Sequence, residues 1–133
     1  MAIILDADVI IKGEKGKLDL IAWLDAQTGQ DLEIAAITVA ELWHGIERAS
    51  GSHRAKREHY LRTIVEQLEP IPYTETTALI HARLWAQLES SGHMIGAHDM
   101  ILASVALERD STVATLNKRH FIVVPGLRVI EPK

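Results

Sequence analysis

The sequence contains no cysteine. Disulfides, a thiol nucleophile and thiolate metal sites are therefore excluded, and the chain suits a reducing compartment such as the cytoplasm. Long hydrophobic runs are also missing. The longest, Met100–Leu107, falls well short of the roughly 18 apolar residues of a membrane span and contains Ser104. The apolar amino terminus is broken at Asp6 and Asp8, where a secretion signal would need to continue, so no membrane association is expected. There is no excess of positive charge either: the net charge is −4, so the chain as a whole is no polycation. No H-E-x-x-H pattern occurs, and the histidines are scattered, which argues against a histidine-built metal site. Aromatic residues are few. Trp23, Trp43 and Trp85 fall on apolar helical stripes, which suits a core or a dimer interface better than a base-stacking platform.

What is present is an ordinary globular balance over 133 residues, enough for a single domain spanning 1–133. Short apolar runs alternate with helical stripes. Ala2–Leu5, Leu32–Ile37, Ile71–Tyr73, Thr112–Leu116 and Leu127–Ile130 read as strands. A polar stretch around Gly13–Gly16 separates the first strand from a helix that begins near Leu18 and stops at Gly29. Val39, Leu42, Trp43 and Ile46 mark a second helix, and Leu61, Ile64, Val65 and Leu68 a third. Ile80, Leu84 and Leu88 mark a fourth. Ala97–Glu108 is apolar almost all round and predicts a central buried helix. Strands alternating with helices imply an α/β fold, a parallel sheet covered on both faces.

Ligands of such folds bind beyond the carboxyl ends of the strands, where the strand order reverses. Asp6 ends the first strand, Glu41 follows the second, Asp99 opens the central helix and Asn117 follows the Thr112–Leu116 strand. These hard oxygen donors suit Mg²⁺ or Mn²⁺ with its waters. Each acid also has a simpler reading. Thr38 and Glu41 have capping-box spacing, Asp99 could answer a helix dipole, and Asp6 or Asp8 could cap a short helix. Capping explains an acid's place along its own helix but not why three gather at one edge.

Four motifs then appear in order: Ile4-Leu5-Asp6-Ala7-Asp8-Val9-Ile10, Ile37-Thr38-Val39-Ala40-Glu41-Leu42, Ile95-Gly96-Ala97-His98-Asp99-Met100-Ile101-Leu102-Ala103, and Ala114-Thr115-Leu116-Asn117-Lys118-Arg119-His120-Phe121. With the closing Val124-Pro125-Gly126-Leu127, the chain resembles the PIN-domain nucleases, and among them the VapC toxins of bacterial toxin–antitoxin pairs. The resemblance implies a three-layer α/β/α fold and a metal-dependent endoribonuclease. It implies Asp6, Glu41 and Asp99 as catalytic acids, with Asp6 and Asp99 on Mg²⁺ (or Mn²⁺), and Asp8, Thr115, Asn117 and His120 as supporting positions. It also implies an RNA substrate, a small antitoxin partner and a homodimer. The family often has Thr where this chain has Ala7, and an acid where it has His120. A haloacid-dehalogenase-like phosphatase with Asp6 as nucleophile, and a catalytically impaired PIN-like binding module, are the alternatives. Positive charge for RNA or for an acidic partner is concentrated in Arg48, Arg54, Lys56, Arg57 and Arg62, against Glu58 alone. Lys118 and Arg119, with Arg128, form a second basic group near the last motif.

Overall fold

A computed structural model describes residues 1–133. The apolar run Ala2–Leu5 is strand β1, buried at Ile3, Ile4 and Leu5. Helix α1 follows at once over Ala7–Glu14, the short helix that Asp6 or Asp8 could cap; only its last two residues fall in the polar stretch around Gly13–Gly16. Gly13 belongs to that helix for reasons of packing. A Cβ there would lie 2.5 Å from the Tyr60 hydroxyl and 2.8 Å from the Leu20 Cβ, so only glycine lets α1 close on its neighbours.

Helix α2 spans Leu20–Ala26 and strand β2 Asp31–Ala35. Helix α3 runs over Ala36–Glu47, taking in Ile37, which the sequence pattern assigns to the strand. This earlier start corrects the capping-box reading. The helix is capped at Ala35 with no side-chain bond, and Thr38 is a buried interior residue. Helix α4 occupies Gly51–Val65, beginning ten residues before the apolar stripe at Leu61 announces it. Its first three turns are largely polar and bury no side chain fully before Leu61, so hydropathy could not reveal them.

Strand β3 is Glu69–Ile71, two residues earlier than expected, and it includes Pro70. Proline is tolerated because β3 is an edge strand and needs hydrogen bonds on one side only. Helix α5 covers Glu75–Ser91, with a capping box between Thr74 and Thr77, and stops at Gly92, whose φ of 74° is left-handed. Helix α6, Ala97–Arg109, is the expected central helix: Met100 and Leu102–Ala106 are all buried. Strand β4 (Thr112–Ala114), a four-residue helix α7 (Lys118–Phe121) and strand β5 (Val129–Ile130) complete the chain.

All four strand pairings are parallel, in the order β3-β2-β1-β4-β5. Alternate residues of β1 feed two cores. Ile3 and Leu5 join Val9, Ile10, Leu42, Ile46 and Leu61 on the α1–α4 side. Ile4 joins Leu84, Met100, Leu102 and Phe121 on the α5–α7 side. The result is the three-layer α/β/α arrangement the alternation implies.

One polar network is buried in the fold. The Glu33 carboxylate on β2 is fully buried, and it accepts hydrogen bonds at 2.6 Å from both the Arg109 Nε and the Ser111 hydroxyl. A lone buried carboxylate would be costly; here the guanidinium fork and the hydroxyl satisfy it.

Candidate active site

The chain lays β2 and β3 on one side of β1 and β4 and β5 on the other, so the strand order reverses at β1 and β4. The acids lie beyond the carboxyl ends of these two strands. Asp6 directly follows β1 and caps α1, accepting a hydrogen bond from the Ala7 N–H at 2.8 Å. Asp8 sits on the first turn of α1, Glu41 on α3 and Asp99 on the first turn of α6. The short helix that Asp6 could cap therefore exists.

Thr115, just past β4, ties the first two acids together. Its hydroxyl donates to Asp6 Oδ2 at 2.8 Å and lies 3.4 Å from Asp8 Oδ2. Its own oxygen accepts from the Asn117 N–H at 2.9 Å. The Leu116 N–H donates to the Asp8 carboxylate at 3.2–3.3 Å. One hydroxyl proton thus serves two carboxylates, and negative charge is left over.

That excess shows in the proton affinities. Burial, then the charges of Asp8 and Asp99, push the Asp6 carboxyl up to about 7, against the pull of the Thr115 hydrogen bond. Burial raises Asp8 as well, with the charge of Asp99 adding to it. Glu41 is raised chiefly by burial; His98 works against the shift, and the charges of Asp99 and Asp8 add to it.

The four acids share one field without crowding a single point. No three acidic or histidine side chains stand close enough to ligate one ion as placed. In their chemistry the donors do fit a hard divalent cation: all are carboxylate oxygens, and the uncompensated charge is what such an ion removes. One or two carboxylates, with water completing the shell, are the usual protein contribution to a Mg²⁺ site.

Two histidines flank the acids. His120 on α7 places Nδ1 3.1 Å from Asp99 Oδ2, and His98 on α6 places Nδ1 3.6 Å from Glu41 Oε2. The His98 contact is absent from the sequence reading, which takes the scattered histidines only as an argument against a histidine-built metal site. Its only signal is adjacency to Asp99. The Asn117 side chain is exposed, and only its backbone enters the hydrogen-bond network.

The basic stretch on α4 is less free than its sequence suggests. Arg54 pairs with Glu47 at 3.1 Å, Arg57 with Glu14 at 3.3 Å and Arg62 with Glu58 at 3.1 Å. The Arg62 guanidinium also lies 5.6 Å over the Trp43 ring. Counting charge along one segment overlooks Glu14 and Glu47, which come from α1 and α3. Lys56 lines a cleft of about 550 Å³ between α1 and α4, together with Lys15, His53, Arg57 and Tyr60. None of the four acids borders that cleft. Lys118 and Arg119 stand exposed on α7, beside His120. Trp23 and Trp43 pack against the core, whereas Trp85 is half exposed.

Comparison with known proteins agrees with this fold. A family model described as PIN domain matches residues 3–127. The VapC ribonuclease Y4jK of Sinorhizobium fredii is 32% identical, over 98% of this chain and 96% of that protein. VapBC2 from Rickettsia felis, solved bound to a DNA fragment from its promoter, has the same fold, with a TM-score of 0.92 at 22% identity and full coverage of both chains. DNA-bound VapBC from Salmonella typhimurium superposes with a TM-score of 0.88 at 25% identity, over 98% of each chain.

Proposed function

The chain belongs to the PIN-domain family, and on that premise we propose that it is an endoribonuclease of the VapC type, the toxin of a toxin–antitoxin pair. The observation that carries this reading is the group of four carboxylates at the strand-order reversal, with Asp6 held up to about 7 by burial and by its neighbours' charge. Neither the phosphatase nor the binding-module alternative has an observation in its favour.

Asp6 and Asp99 are the residues to hold Mg²⁺ or Mn²⁺, with Asp8 beside them. Bound there, the cation would neutralise the charge of the scissile phosphodiester and acidify water. The protein's own groups do the rest. Thr115 and the Leu116 N–H fix Asp6 and Asp8 in place. Glu41, whose proton affinity is raised, orients the attacking water and accepts a proton at its carboxylate.

The remaining parts of the reading follow from the same premise. The chain acts as a single domain over residues 1–133, on RNA in the cytoplasm, and a small antitoxin restrains it. Relatives solved as VapBC assemblies support that partner. No helix is long and apolar enough to cross a membrane. Leu79 and Trp85, exposed on α5, support pairing with a second copy.

Incubating the purified chain with RNA in Mg²⁺, Mn²⁺ or EDTA tests the proposal. Cleavage in either metal that stops in EDTA is expected. Cleavage that survives EDTA would remove the metal mechanism, and none under any condition would remove the nuclease reading.

A further inference from the structure

A second cleft, of about 380 Å³, opens on the α7 side of the acids. Its walls are the Gly92–Gly96 loop between α5 and α6, with Arg119, His120 and Val123 opposite. His120 belongs both to this wall and to the acid group, since its Nδ1 contacts Asp99 at 3.1 Å. The cleft is therefore continuous with the edge where chemistry would occur, unlike the larger one between α1 and α4.

Its lining has a definite chemical character. No carboxylate is part of it. Arg54, Arg57, Arg62, Arg109 and Arg128 are each tied to a carboxylate elsewhere; Arg119, like Arg48 and Arg83, is not, and of these three it alone lines this cleft. An unpaired guanidinium presents a fork that matches phosphate oxygens. Across from it stand His93, which is exposed, and Met94, 52% exposed. An imidazole and a soft thioether are surfaces on which a base can lie. The volume falls within the roughly 300–1,000 Å³ of small-ligand sites.

We propose that this cleft is a subsite for one nucleotide of single-stranded RNA adjoining the scissile bond. Arg119 takes its phosphate, and His93 and Met94 take its base. The assignment rests on the ribonuclease reading for its substrate but on the cleft's own lining for its position. Arg119 is a positioning residue here: it fixes a neighbouring nucleotide and does not touch the reacting atoms.

Two measurements test it. The first is an amide NMR titration of the wild-type chain in EDTA with 5′-mononucleotides and, separately, inorganic phosphate. Nucleotides should shift His93–Gly96 and Arg119, and phosphate should shift the Arg119 end alone. Arg119→Gln should abolish both responses, and Met94→Ala should weaken the nucleotide response only. Shifts confined to the α1–α4 cleft, or unchanged in Arg119→Gln, would overturn the subsite. The second is cleavage of a short oligoribonucleotide. Arg119→Gln should raise KM by about tenfold, the loss of one charge-assisted phosphate contact, with kcat within about twofold of wild type. A fall in kcat at constant KM would also overturn the subsite. Wild-type protein that binds nucleotides at this cleft yet cleaves no RNA would refute the nuclease reading and leave the nucleotide site standing.

Discussion

Replacing Asp6 by asparagine should stabilise the cation-free protein at alkaline pH, although core substitutions usually destabilise. Asp6 is 7% exposed, and its carboxyl titrates at about 7 rather than at 3.8. A group whose pKa is higher in the folded state contributes stability that is complete below its unfolded value, here 3.8, and is lost as the pH rises through about 7. At 1.36 kcal/mol per pKa unit the loss reaches about 4 kcal/mol at pH 8 and about 2 kcal/mol at pH 5. Asparagine keeps the shape without the charge but gives up one good acceptor, a loss of about 1 kcal/mol. The expected net effect is a gain of about 3 kcal/mol at pH 8, shrinking to about 1 kcal/mol at pH 5 and reversing below pH 4. For a chain of this length, the gain at pH 8 raises Tm by about 10 °C. Urea denaturation of both proteins in EDTA across this range measures it. Adding Mn²⁺ should stabilise the wild type by about 2.7 kcal/mol at a hundred times Kd and the variant by much less. A variant no more stable than wild type at pH 8, or a difference that does not change with pH, would refute the electrostatic account of the site.

Glu41→Gln and Asp99→Asn should each abolish RNA cleavage while remaining folded; circular dichroism checks the fold, and wild-type cleavage by either variant counts against the proposed roles. His120→Asp places a carboxylate against Asp99, so Mn²⁺ should bind more tightly by calorimetry while the metal-free protein melts lower. Equal or weaker binding would exclude position 120 from the cation's surroundings. Arg109→Met leaves the fully buried Glu33 carboxylate with only the Ser111 hydroxyl and should cost about 3 kcal/mol in urea unfolding at pH 7.

β1 and β4 are the most legible parts of the sequence, because each lies in a short apolar run; β2 carries Asp31 and Glu33, and β3 lies two residues earlier than expected. Hydropathy marks neither α1 nor the four-residue α7, and for α1 the reason is local. Gly13 reads as a break in one dimension, and its purpose, admitting Tyr60 and Leu20, is visible only in three. The misplaced start of α3 has a similar origin. Ile37 extends an apolar run equally well as strand or helix, and only the β2 register, which pairs Ala35 with Ile71, marks where the ladder ends. Within the candidate site, the acids could be picked out because an oxygen donor at a strand end is a strong pattern. Of their partners, Thr115 and His120 are reached only through the family resemblance, and His98 is not reached at all. His98 and His120 belong to the acids only through helix packing, and Thr115 looks in sequence like an ordinary strand residue. The α4 arginines misled for the opposite reason: their countercharges arrive from other elements.

Thr115 meets Asp6 across 109 residues of chain. β1 is made well before β4, and their pairing waits until the chain through Ala114 has been made. Until then Asp6 lacks its hydroxyl donor, Asp8 lacks the Leu116 amide, and α7 with His120 does not exist. Closing so long a loop is also among the slower events in folding. A chain still emerging from the ribosome, at roughly 5–20 residues per second, therefore carries its first acids for several seconds without the means to align them. On the nuclease reading proposed above, the topology withholds the aligned acids until the chain through Leu116 has been made.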